Sequence, residues 1–231
     1  MKISCNSEDC RNCSLRSTLF RSLTTEELMV VEDGKEIFVA GKGEVIAKQG
    51  DLVRHFIYLR DGLAKLSRRN TEGHEQIIGI ASPLDFIGLL SLFSSSTYQY
   101  TITAIEDTEL CMVNIGAVEQ LVLKSGTFAR TLLEKMSIVS NKLLNTRLEL
   151  NTRQLRGRIA FIILMFADDV YKSNTFSLPI SRKEIGDLID MRVENVIRSL
   201  SEFRKDGIIR IEGTTIEILD KPMLEWLMLH G

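Results

Sequence analysis

The sequence predicts an α+β fold in which sheet comes first and helix last, and three observations carry that expectation. Between Glu36 and Val113 short β-branched and aromatic runs alternate with glycine turns. Leu132, Met136, Val139, Leu143, Thr146 and Leu150 then follow 4-3-4-3-4 spacing, the seam of a long helix against a partner helix. Finally, Ile180 to Phe203 reads as two short amphipathic helices and Gly207 to Leu219 as a β-hairpin.

Each element has a local reason. Thr24 or Thr25 with Glu26 and Glu27 starts a short helix running to Val31. Ile37–Val39, Val45–Ala47, Phe56–Leu59, Ala64–Leu66, Gln76–Ile80 and Tyr100–Ile105 are the predicted strands, with Asp61–Gly62 a hairpin signal between two of them. Many short strands at this spacing make a sandwich or roll. Residues 153–158 read as a linker or hinge, followed by a buried apolar helix from Ile159 to Phe166. Pro179 bars helix upstream of Ser181, and Ser181 with Glu184 forms a capping box. Ile185, Leu188 and Ile189 make one apolar stripe; after a break at Asp190–Met191, Val196, Leu200 and Phe203 make the next. A tight Glu212–Gly213 turn joins the two closing strands. Helix-turn-helix followed by a β-hairpin is a winged helix.

Function is written most clearly on the second of those short helices. Glu194 and Arg198 stand four apart and share a face. A carboxylate accepts from cytosine N4, and a guanidinium grips guanine O6 and N7, so this face suits the major groove of DNA. An ordinary hairpin with a solvated Glu194–Arg198 salt bridge is the plainer alternative, and the neighbouring hairpin tips the balance against it. The formal net charge is −2, which argues against a chain that coats nucleic acid indiscriminately. Residues 151–210 carry 11 Lys+Arg against 8 Asp+Glu, a local surplus suited to a limited phosphate footprint. No apolar run reaches membrane-spanning length and no signal-peptide core opens the chain, so a cytoplasmic protein without membrane contact is expected. His55, His74 and His230 form no metal-binding motif, and neither a phosphate-binding loop nor a nucleophile elbow is present. An enzyme is not expected.

This order of elements resembles the Crp/Fnr family of bacterial transcription regulators over essentially the whole chain. Gly50-Asp51, Gly62 and Asp85-Phe86-Ile87-Gly88 look like the family's β-roll turns, and Ile180 to Gly186 with Glu194 and Arg198 is similar to its DNA-reading motif. The resemblance implies a cyclic-nucleotide-binding-like sensor roll over 1–125, a dimerisation helix and hinge over 126–152, and a winged-helix DNA-binding domain over 153–231. It further implies a homodimer that binds palindromic promoter DNA and touches RNA polymerase. Carried across, Glu194 and Arg198 read base edges and Val193 makes an apolar contact, while Ser181, Arg182, Lys183, Arg192 and Asn195 lie near phosphates. Two departures stand out. Arg192 occupies a helix N-cap where a small hydroxyl residue caps better, and Ile197 replaces a serine of the oxygen-sensing members.

The resemblance leaves the signal open. Members that bind cyclic AMP hold its ribose with a carboxylate and its phosphate with an Arg-Ser pair. The matching positions here are Leu89, Gln99 and Tyr100, and a phosphate buried without a cation is costly, so cyclic AMP is not expected. The chain's four cysteines suggest another input: Cys5, Cys10 and Cys13 form C-x4-C-x2-C, and Cys111 lies in Glu109–Val113. In the fumarate–nitrate reduction regulators three amino-terminal cysteines and one in that late strand ligate a 4Fe–4S cluster, though with other spacings. Four thiolates equally suit zinc or a thiol redox switch, and cytosolic cysteines often act as plain small hydrophobes. A roll that senses another small molecule or haem, with inert cysteines, is the remaining alternative.

Overall fold

In the computed structural model, which describes residues 1–3, 19–71, 73–89 and 91–231, strand formation follows the β-branched runs closely. The chain divides into two compact units, Met1–His74 with Ile78–Leu143, and Leu144–Gly231 with Glu75–Ile77. In the first lie β1 (Lys2–Ile3), α1 (Thr25–Asp33), β2 (Lys35–Ala40), β3 (Val45–Ala47), β4 (His55–Asp61) and β5 (Ala64–Arg69). They are followed by β6 (Glu75–Ala81), β7 (Phe86–Ile87), β8 (Thr101–Ala104), β9 (Thr108–Asn114) and α2 (Ile115–Lys124). The strands form two sheets, ordered β1-β2-β9-β4-β7 and β3-β8-β5-β6.

Alternation along β4 and β9 decides what faces what, because successive side chains point to opposite sides of a strand. Phe56 and Tyr58 enter one apolar cluster and Ile57 and Leu59 the other. Likewise Cys111 and Val113 join Leu19, Phe20, Leu28 and Phe128, whereas Leu110 and Met112 turn the other way. Both strands are buried on both faces, which explains their unbroken apolar runs. The Asp61–Gly62 turn differs from its expected role. It carries the chain from β4 in one sheet to β5 in the other rather than closing a hairpin. Gly62 is obligatory there: its φ is +79°, and a Cβ would meet Asp107 O at 2.3 Å.

A single helix, α3 (Gly126–Thr152), spans the predicted long segment. Its 4-3-4-3-4 stripe is covered unevenly within the chain itself. Leu132 is buried in the cluster around Cys111, and Met136 and Val139 pack against that cluster. Leu150 is also buried. The apolar residues left in solvent are Leu133, Ile138, Leu144 and Leu148. The amino-terminal part of the stripe therefore rests on the chain's own core, and Met136, Val139, Leu143 and Thr146 remain partly exposed.

The second unit contains α4 (Leu155–Leu164), which runs on through a π-helical turn at Met165–Val170, then β10 (Thr175–Ser177), α5 (Arg182–Ile189) and α6 (Val193–Lys205). It closes with β11 (Ile209–Glu212), β12 (Thr215–Ile218) and α7 (Lys221–His230). The expected linker over 153–158 shrinks to Arg153–Gln154, since helix resumes at Leu155. The small sheet has order β10-β12-β11. In the hairpin Glu212 pairs with Thr215, so the loop is Gly213–Thr214, one residue later than the sequence suggested. Gly213 takes φ +61° at the first loop position, which a two-residue hairpin favours for glycine. Among the described residues no helix is long and apolar enough to cross a membrane.

Candidate nucleic-acid interface

The interface begins with a helix start. Ser181 Oγ accepts from Glu184 N–H at 3.2 Å while Glu184 Oε2 accepts from Ser181 N–H at 2.8 Å, so two otherwise unmet donors are satisfied reciprocally. Buried Ile185, Leu188 and Ile189 anchor α5, leaving Ser181 and Lys183 exposed. The helix stops at Asp190, whose φ of +55° is left-handed, a conformation aspartate tolerates better than most residues. Gly186 makes the tight turn possible: a Cβ there would meet Met191 O at 2.4 Å. Arg158 Nη1 donates to Ile189 O at 3.1 Å, satisfying a carbonyl at the end of α5. That contact, from 31 residues upstream, left no local signal in the sequence.

The second helix follows after Met191 and Arg192. Arg192 is its N-cap and makes no side-chain capping bond, as its chemistry leads one to expect. Glu194 in the first turn instead complements the helix dipole. Val196, Ser199, Leu200 and Phe203 are buried, which turns Arg192, Glu194, Ile197 and Arg198 outward; Val193 and Asn195 are partly covered. No ion pair joins Glu194 to Arg198 among the described residues, so the plainer salt-bridge alternative is not what the two side chains do. Arg198 Nη2 donates instead to Asn195 Oδ1 at 3.1 Å. Glu194 thus keeps its acceptors and Arg198 has donors to spare.

The remaining basic groups split by environment. Burial pulls the Arg182 guanidinium below its ordinary pKa, and Nη2 reaches Gly213 O in the hairpin loop at 3.4 Å. Lys183 bonds Asp187 Oδ2 at 2.7 Å, and that hydrogen bond raises its pKa. Ser177 and Thr214 hydroxyls meet at 2.9 Å, tying the loop tip to β10. All eight predicted residues from Ser181 to Arg198 therefore lie on one helix-turn-helix, with the hairpin loop beside Arg182.

The second group of predicted site residues is only partly in view. Cys5, Cys10 and Cys13 lie outside the described residues. Cys111 is almost fully buried on β9, opposite Ile37 of β2 and Tyr58 of β4. Both flanks of the cysteine-bearing segment sit in the same unit: Ile3 pairs with Phe38 on β2, and Leu19 packs in the Cys111 cluster. Cys13 is six residues before Leu19, a span of at most roughly 20 Å. Among the described residues no three potential metal ligands are grouped. At the roll positions singled out above, Leu89 and Tyr100 are buried in the apolar clusters. Gln99 is exposed, its amide donating to Ser95 Oγ and Thr97 O.

Comparison with known proteins bears on both units. A cyclic nucleotide-binding domain family model matches residues 37–125, and a Crp-like helix-turn-helix domain model matches residues 157–227. The transcriptional activator protein FnrA of Stutzerimonas stutzeri is 28% identical, covering 91% of this chain and 88% of that protein. The activator Anr of Pseudomonas aeruginosa is 29% identical over the same shares. Among solved structures, FixK2 from Bradyrhizobium japonicum superposes with a TM-score of 0.75 at 23% identity, covering 84% of this chain and 96% of that one.

Proposed function

We propose that this chain, which belongs to the Crp/Fnr family of DNA-binding transcription regulators rather than to a family of enzymes, acts in the cytoplasm as a homodimer that reads palindromic promoter DNA and contacts RNA polymerase. One observation carries the DNA reading: α6 presents Glu194 and Arg198 together on an exposed face, with Asn195 holding the guanidinium. Glu194 accepts from cytosine N4 and Arg198 donates to guanine O6 and N7. Asn195 acts by positioning Arg198. Ser181, Lys183 and Arg192, exposed along the two helix starts, fix register on phosphates, and Arg182 does so from beside the hairpin loop. Val193 adds an apolar contact. Two such helices must meet grooves one turn apart, ~34 Å, which requires a pair of subunits. Leu133, Leu144 and Leu148 offer the surface for pairing, since at 100° per residue they fall within roughly 60° on α3.

Arg198→Ala tests this. It should weaken binding to a selected inverted repeat by ~1–3 kcal/mol and relax preference at one guanine per half-site in a competition assay. Uniform weakening on all sequences would reduce Arg198 to a phosphate clamp.

The signal we assign to this regulator is oxygen, nitric oxide or redox state. The donor set suits an iron–sulfur centre in its chemistry: Cys111 is a buried thiol whose cluster also holds Leu19 and Phe20, six and seven residues after Cys13 in the sequence. Four thiolates from Cys5, Cys10, Cys13 and Cys111 would hold a 4Fe–4S cluster, which supplies redox- and oxygen-responsive chemistry when bound. The protein's own part is mechanical. Cys111 shares its cluster with Phe128 and Leu132 of α3, so a change in packing around that thiol bears on the helix that pairs the subunits. The neutral Leu89, Gln99 and Tyr100 support exclusion of cyclic AMP. Protein purified without oxygen should carry visible absorbance with iron and sulfide, and Cys111→Ser should abolish both. Colourless protein, or zinc in place of iron, overturns this assignment and leaves the DNA reading untouched.

A further inference from the structure

The exposed face of α6 holds one residue that nothing local explains. Ile197 is 51% exposed between buried Val196 and the exposed Arg198. A β-branched side chain loses χ1 freedom in a helix, and half of this one faces water. It contributes no cap and no ion pair, and its carbonyl merely accepts from Ser201 Oγ at 2.9 Å. Helix geometry sets its neighbours: Val193 one turn back and Glu194 three residues back lie on either side of it. Because helical side chains lean toward the amino terminus, Ile197 projects over that first turn, where Glu194 stands.

We propose that Ile197, with partly covered Val193 beside it, selects thymine by packing on its C5 methyl group, next to the base pair read by Glu194 and Arg198. Among the four bases only thymine offers an apolar group on its major-groove edge, so it is the one base that can cover Ile197 without stranding a polar atom. Cytosine at that position would set its amino group against hydrocarbon and leave a donor unmet. Ile197 is thus a specificity residue, whereas Arg192 and Lys183 contribute affinity alone. This inference rests on the DNA-binding reading above.

The test is a methyl-deletion cycle on an inverted-repeat duplex selected from a random library by the protein itself. Each thymine of the half-site is replaced singly by uracil, which removes the C5 methyl and preserves every hydrogen bond. At one thymine per half-site, uracil should weaken wild-type binding roughly fourfold, the effect of about one methyl-sized group. In Ile197→Ala the same replacement should have no effect, and Ile197→Val should fall between. The exposure of Ile197 predicts unchanged thermal melting for both variants, and the valine variant gives the readout should alanine perturb the helix. Equal uracil costs in wild type and variants, with the selected duplex still preferred over a scrambled one, overturn the role of Ile197 alone. A wild-type protein that prefers no inverted repeat overturns this inference and the DNA reading together.

Discussion

At the scale of single residues, the turn between the reading helices depends on what Gly186 lacks. A β-carbon would sit 2.4 Å from Met191 O, and backbone on both sides cannot yield cheaply. Gly186→Ala should therefore destabilise the protein by ~1–3 kcal/mol, read as a lowered midpoint in urea, and should weaken DNA binding further by re-aiming α6. An unchanged midpoint would mean that the turn adapts. Some of this site was legible and some was not, for physical reasons. The Ser181–Glu184 capping box could be read because both partners lie within one turn of chain. Glu194 and Arg198 were legible as neighbours because helical spacing fixes them. The choice Arg198 makes between Glu194 and Asn195 was not, since both lie within reach of its side chain and the rotamer decides. Arg158 was invisible for a different reason: its acceptor, Ile189 O, is distant in sequence.

At the scale of elements, α3 shows that a period marks a stripe and leaves its neighbour open. Hydrophobic spacing says that a stripe is covered, never by what. Leu132 is buried in the chain's own core, with Met136 and Val139 packed part-covered against it. The outward stripe is diluted by Ser137, Ser140 and Asn141, which masked Leu133, Leu144 and Leu148. If these close the dimer, Leu144→Lys combined with Leu148→Lys should leave the fold intact, because both side chains are exposed, yet yield a monomer by sedimentation and lose binding to an inverted repeat. A dimer of unchanged mass would move pairing to another surface. Short elements escaped the sequence for related reasons. β10 has three residues, too few for alternation to register, and it exists because β12 offers it an edge. The α7 segment, capped by Asp220 with Pro222 in its first turn, carried a readable start signal that the preceding hairpin overshadowed.

For the whole molecule, the sheet-rich unit was legible as many short strands but not as two sheets, because the exchange at Gly62 is set by a contact with Asp107 rather than by the turn residues. That unit also has a titration of its own. Burial, then the neighbouring Tyr100 and Asp51, push the Tyr98 phenol from 10.0 to about 12, and its hydroxyl donates to His55 O at 3.1 Å. A phenol pKa raised on folding means that the folded state holds the proton more tightly. Its contribution is complete below about pH 10 and is lost as pH climbs toward about 12. The denaturant midpoint of wild type should fall across that window, and Tyr98→Phe should flatten the decline. A variant that declines just as steeply would assign the effect to other groups.

The position of the break at Arg153–Gln154 has a practical consequence for anyone dissecting the molecule. The last turns of α3 belong to the carboxy-terminal unit: Leu150 is buried, and the Arg153 guanidinium is tied to both Glu149 and the Met228 carbonyl. A recombinant fragment trimmed at the visible interruption would discard buried Leu150 and the Glu149 carboxylate that Arg153 is paired with. One that begins at Leu144 retains them, and is the piece to express when crystals with short duplexes are wanted.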